Sequence, residues 1–218
     1  MPEYSIVDIF NMAKATALPA YGSDEKLAEL SESEVKLIHD RLMVLAENEE
    51  VFGALWEARE AIYEAVRAVK KWTKTDFKGA YAEGDDLDLH VIDAPDIMVS
   101  GTPLTVFEKS VSAGTAYYWS GPSDAKIQLN EDEAIVIVGW YDPVDSPKAT
   151  RVKFELPKRD YVVKLPFRFT KDVPLVVHDP VIIKPKESFR IQVRYDSSGD
   201  DALMPVGVKI LKAEKMTL

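Results

Sequence analysis

The stretch Phe189-Arg190-Ile191-Gln192-Val193-Arg194-Tyr195 alternates apolar and polar side chains without a break. A two-residue period places Phe189, Ile191, Val193 and Tyr195 on one face and Arg190, Gln192 and Arg194 on the other. That pattern predicts an antiparallel strand with one buried face and one solvated face. A second stretch, Ala134-Ile135-Val136-Ile137-Val138-Gly139, is apolar throughout and rich in β-branched residues, which suits a strand covered on both faces. Residues 87–92 and 104–111 also alternate. Further strands are expected over 115–119, 126–129, 151–156, 161–169, 175–177, 181–184 and 206–212. Turn-forming runs separate them, among them Ser120-Gly121-Pro122, Asp142-Pro143-Val144-Asp145-Ser146-Pro147 and Pro157-Lys158-Arg159-Asp160. About ten short strands with no helical stretch among them predict a sandwich or barrel. The irregular connections favour a jelly-roll-like antiparallel β-sandwich over 87–218.

Upstream the period changes. Residues 1–80 are rich in Ala, Glu, Leu and Lys, and no proline falls between Ala20 and Ala94. Ser31 and Glu34 form a capping box, in which hydroxyl and carboxylate satisfy free amides at a helix start. Val35, Ile38, Leu42 and Leu45 then recur at three- and four-residue steps, as one apolar helical stripe does. A second long helix is expected after Asn48, with Val51, Leu55, Ile62, Val66 and Val69 in its stripe and Trp56, Tyr63 and Trp72 widening it. A short helix over 6–18 is stopped by Pro19. The fold class predicted is α+β: a helical segment over 1–80, a glycine-containing linker, then the sandwich. Two long helices and a short one make a thin core alone, so their apolar stripes need either the sandwich or a neighbouring subunit.

Composition narrows the chemistry. The 218 residues include no cysteine, so no disulfide, thiolate nucleophile or cysteine-ligated metal can form. With 27 basic and 37 acidic residues the net charge is −10, which repels nucleic acid outside a local basic patch. The basic run Arg67, Lys70, Lys71, Lys74 and Lys78 is such a patch, but it also complements a helix C-terminus. It is a weak nucleic-acid signal. The start, Met1-Pro2-Glu3-Tyr4-Ser5, has neither the charged nor the apolar region of a signal peptide. No apolar run is long enough to span a bilayer.

Candidate sites are few. Three histidines are present. Asp86, Asp88 and His90 alternate on one strand, so all three side chains share a face; they suit a hard cation in a metal-dependent enzyme, or simply a polar solvent face opposite Leu87 and Leu89. The turn Asp196-Ser197-Ser198-Gly199-Asp200-Asp201 offers oxygens for calcium, yet lacks an EF-hand pattern and is equally an Asx turn. Trp119, Trp140 and Tyr141 lie at strand ends beside proline-containing loops. They suit sugar stacking in a carbohydrate-binding module, or core and interface packing. No nucleophile elbow, phosphate loop, dinucleotide fingerprint or His-Glu-x-x-His motif occurs. No catalytic residue and no cofactor are expected.

The closing stretch, Pro180-Val-Ile-Ile-Lys-Pro-Lys-Glu-Ser-Phe-Arg-Ile-Gln-Val-Arg-Tyr195 followed by Met204-Pro-Val-Gly-Val-Lys-Ile-Leu211, resembles the last strands of viral jelly-roll coat proteins. The resemblance covers about the final 40 residues and carries no diagnostic motif. It implies a non-enzymatic capsid or virion-associated structural subunit. Its partners would be copies of itself and other virion proteins. It also implies a location in the virion; without it, the expected location is cytoplasmic.

Overall fold

A computed structural model describes residues 29–45, 49–74, 76–78, 86–157, 160–165 and 174–213. The helix expected over 6–18 and the cap expected at Asn48 lie outside the described residues. Helix α1, Glu32–Val44, starts at the expected capping box: Ser31 N–H donates to Glu34 Oε2 at 2.8 Å, and Glu34 N–H donates to Ser31 Oγ at 3.3 Å. The second helical stretch is two helices, α2 (Glu49–Glu57) and α3 (Arg59–Thr73), broken at Ala58. There the carbonyl of Ala58 accepts from both Ala61 and Ile62, and Ala58 itself is buried.

Eight principal strands follow: β1 (Asp86–Val91), β2 (Gly114–Trp119), β3 (Glu133–Tyr141), β4 (Ala149–Glu155), β5 (Asp160–Lys164), β6 (Leu175–Ile183), β7 (Ser188–Tyr195) and β8 (Met204–Ala213). One antiparallel sheet has the order β1-β8-β3-β6 and the other β2-β7-β4-β5, with the two-residue strand Ile127–Gln128 also on β7. This is the strand order of a jelly roll. The stretch over 104–111 gives only the strand Lys109–Val111, paired with Gly199–Asp201 as a separate ribbon. The preceding residues cross from one sheet towards the other and have no ladder partner. Leu104 and Phe107 pack on the core instead.

Two cores make three layers. Between the sheets lie Ile135, Ile137, Trp140, Phe154, Phe189, Ile191 and Val193. Between the first sheet and the helices lie Ile38, Leu42, Ile62 and Val66 against Leu87, Leu89, Ala134, Val136, Val208 and Ile210. The sandwich itself therefore covers the helical stripes. The change near residue 80 separates secondary-structure types, while the core runs across it. It also explains the continuous apolarity of β3, which is roofed by helices on one side and faces the second sheet on the other.

A bulge in β3 decides where its aromatics go. Val206 of β8 pairs with Gly139 and Gly207 pairs with Ile137, so Val138 is an extra residue. The bulge reverses the alternation. Trp140 joins Ile135 and Ile137 in the sandwich core, and Tyr141 turns to the helical side. Gly207 is required by close approach: a Cβ there would lie 2.2 Å from the carbonyl oxygen of Val136.

Candidate functional site

The open side of the sandwich, along β1 and β8, gathers charges from four segments. His90 on β1 sits opposite Lys209 on β8. A short 3-10 turn, Ala94–Asp96, follows β1 and is capped by Asp93; Asp96 Oδ2 in return accepts from the Asp93 amide at 3.0 Å. His90 Nδ1 lies 3.2 Å from Asp88 Oδ2, and Nε2 lies 3.4 Å from Asp96 Oδ2. Lys209 Nζ lies 3.2 Å from Asp96 Oδ1 and 3.9 Å from Glu133 Oε1. The Asp96 hydrogen bond raises the His90 pKa, against the opposing effect of burial and with help from the charges of Asp96 and Asp88. Burial pushes the Asp96 carboxyl up, but His90, the Asp93 amide and Lys209 outweigh it and hold it at about 2.

This geometry places two of the three residues of the Asp86, Asp88 and His90 reading. Asp88 and His90 do point away from buried Leu87 and Leu89, as the alternation requires. The side chain of Asp86 lies outside the described set. Both nitrogens of His90 face carboxylates, so the ring, when protonated, donates to both. The Lys209 ammonium takes the position between Asp96 and Glu133 that a cation would need. Among the described residues no cluster of three His, Cys, Asp or Glu side chains is disposed to hold a metal ion. The arrangement is an ion-pair network.

Beside it opens a cavity of about 290 Å³. Asp96, Glu133, Lys209, Gln128 and Asn130 supply its polar groups, and Trp119, Phe189, Ile135 and Met98 its apolar wall. A second cavity, of about 400 Å³, is lined by Ile92, Phe107, Tyr141, Met204 and Val206, with Asp93 as its charged group.

The aromatic residues do not form a stacking platform. Trp140 is fully buried, with its ring edge-on to Tyr118 at 5.7 Å between centroids. Trp119 is 3% exposed and packs edge-on against Phe189 at 5.3 Å. Burial of their large apolar area explains both positions. Tyr141 is half-buried on the helical side, lining the larger cavity. In the basic run on α3, Lys70 is held by acids. Lys70 lies 2.8 Å from both Glu34 and Asp76. Glu34 is buried and also accepts from the amide of Phe77 at 3.1 Å; burial pushes its carboxyl up, and the Lys70, Ser31 and Phe77 hydrogen bonds bring it below its usual value. His39, buried on α1, hydrogen-bonds Tyr63 Oη and packs on Trp56.

Sequence reading missed two features. At one end of the sandwich, Asp142 and Asp201 are fully buried and close enough to share a hydrogen bond when one is protonated. Burial, and then the charge of Asp201, push the Asp142 carboxyl up to about 7. The signal lay in the turn ending at Asp201, but its partner is 59 positions away in the chain. The other feature is on the outer face of β2-β7-β4-β5, which no described helix covers. Register places Thr115, Arg194, Arg151 and Lys164 in one row across the four strands. Asp196, 3.7 Å from Arg194 Nε, is the acid that pairs with this row among the described residues. Lys153 lies in the next row, beside Gln192 and Val162. Arg190 pairs with Glu155 at 2.5 Å and stacks over Tyr117.

No protein-family model matches the chain, and no curated protein does. Among solved structures, the mosquito-larvicidal Cry4Aa toxin from Bacillus thuringiensis is similar over 58% of this chain and 24% of that one, with 10% identity and a TM-score of 0.29. A ruminal GH26 endo-beta-1,4-mannanase is similar over 57% of this chain and 26% of that one, with 8% identity and a TM-score of 0.27. The chain thus spans about a quarter of each of these proteins. No helix among the described residues is long and apolar enough to cross a membrane.

Proposed function

We propose that this chain is a non-enzymatic structural subunit, of the capsid or virion-associated kind, that assembles with copies of itself. The observation that carries the reading is the cationic row Arg194, Arg151 and Lys164 on the uncovered sheet face. Like charges placed directly opposite one another across strands are destabilising in an isolated sheet. Here they are gathered on a chain of net charge −10, whose remaining surface is correspondingly more acidic. A cationic face meeting an acidic surface of the next copy makes a heterologous contact, which closes into a ring or shell when the rotation permits. The jelly-roll strand order and the helical roof, which among the described residues leaves one sheet face uncovered, support the same reading.

Electron microscopy and light scattering of the purified chain test it. Particles, rings or filaments are expected at low salt, and the double variant R151E/R194E should remain monomeric under the same conditions. Contacts of this type weaken as the screening length falls to about 3 Å at 1 M salt. A strict monomer at all concentrations and salts would refute the proposal.

The cavity of about 290 Å³ favours a second reading, a carbohydrate-binding module, with Trp119 rather than Trp140 or Tyr141 in its wall. Planar amides and carboxylates beside an aromatic wall suit a hydroxyl-bearing ring. Tryptophan fluorescence that stays unchanged across a panel of sugars would remove this reading.

A further inference from the structure

Five side-chain polar atoms are buried without a hydrogen-bond partner among the described residues, and Asp142 Oδ2, Asp201 Oδ2 and Tyr195 Oη are three of them. They belong to one end of the sandwich. Tyr141 pairs with Met204, which sets Asp142 beside the segment that leads from Asp201 into β8. Tyr195 pairs with Ala149, next to Lys148, whose amide donates to Asp201 Oδ1 at 2.7 Å. Asp142 Oδ1 in turn accepts from the amide of Val144 at 3.3 Å. Backbone amides orient both carboxylates, those of Val144 and Ala202 on Asp142 and that of Lys148 on Asp201, while Oδ2 of each has no hydrogen-bond partner. Tyr195 is buried, and its hydroxyl lies within electrostatic reach of both acids.

Three unpartnered oxygens, two of them carboxylate, make a hard donor set without nitrogen or sulfur, of the kind that calcium and magnesium take. Two adjacent buried carboxylates are relieved either by a shared proton or by a counter-charge. Lys109, opposite Asp201 in the ribbon, acts on Asp201 through its charge but directs its Nζ over the Tyr118 ring, 4.8 Å from the centroid. We propose that Asp142, Asp201 and Tyr195 form a binding site for a hard divalent cation, calcium by preference, which ties the loop after β3, the ribbon and β7 together.

The test uses the full chain after exhaustive treatment with chelator. Thermal unfolding is followed at pH 7.5 with calcium chloride, with magnesium chloride and with neither, and bound metal is counted by elemental analysis after dialysis. Calcium is expected to bind once per chain and to raise Tm by about 5 °C or more at saturation, the response expected of a ligand that binds only the folded state. D142N and D201N should lose the response, while E131Q, an exposed carboxylate variant elsewhere, should keep it. If the aspartate variants do not fold, Y195F decides, because it removes one oxygen from the set and should weaken calcium binding about tenfold. No bound metal and no change in Tm with either cation would overturn the proposal, leaving a proton shared by the two acids. Stoichiometric metal retained by both D142N and D201N would overturn it as well. The readout is on the individual chain, so its failure is separate from any failure to assemble.

Discussion

Replacing Asp96 with asparagine tests whether the network beside β1 holds the sandwich together. The carboxyl is held at about 2, against an ordinary 3.8, and its side chain is only 15% exposed. That depression corresponds to about 2.5 kcal/mol of stabilisation at neutral pH. The sign follows from the direction of the shift. The contribution is present above the ordinary value and is lost as pH falls towards about 2. Asp96→Asn keeps the shape of the side chain but removes the charge that faces His90 and Lys209, so it should lower stability at pH 7 by about 2–3 kcal/mol. Urea unfolding followed by tryptophan fluorescence measures the difference, and at pH 2 the variant and the parent should nearly coincide. The pKa of His90, followed by NMR, should fall in the variant because its main hydrogen-bond partner is gone. Equal unfolding midpoints at pH 7, with unchanged denaturant dependence, would refute the reasoning.

Two other perturbations probe the layers. Gly207→Ala places a methyl group against the Val136 carbonyl and should cost more than about 2 kcal/mol, the range in which named steric mechanisms fall; a melting temperature within a degree of the parent would contradict the bulge geometry. Glu34→Ala leaves the buried Phe77 amide without its acceptor and removes one of the two carboxylates that hold Lys70, whose ammonium keeps Asp76. It should cost about 1–3 kcal/mol, with hydrogen exchange rising first in α1 and α3.

The alternation of residues 189–195 and the unbroken apolarity of 134–139 were enough to predict a two-sided sandwich with one strand covered on both faces. The Ser31–Glu34 pair marked the start of α1. What could not be read depended on neighbours distant in the chain. Trp140 shares a face with Ile137 only because Val138 is bulged against β8, and nothing local to Trp140 signals that extra residue. Arg151, Arg194 and Lys164 are unremarkable one at a time; the cross-strand register makes them a row. Asp201 is legible as a turn residue, whereas its burial against Asp142 follows from where β8 returns beside β3. His90 could be placed on its face from the two-residue period, but its partner Asp96 comes from a capped turn outside that period.

The pairing of β1 with β8 has a consequence for synthesis. The helices leave the ribosome before the sandwich does, yet the sheet they rest on needs Val206, Val208 and Ile210 from β8, the last strand of the sandwich. Until that strand arrives, β1 has no neighbour and the apolar flanks of α1 and α3 have no seat. Contacts of such long sequence separation form slowly, so the nascent helices wait while the whole sandwich is made. A chain stalled before β8 would present them to chaperones rather than to a finished platform.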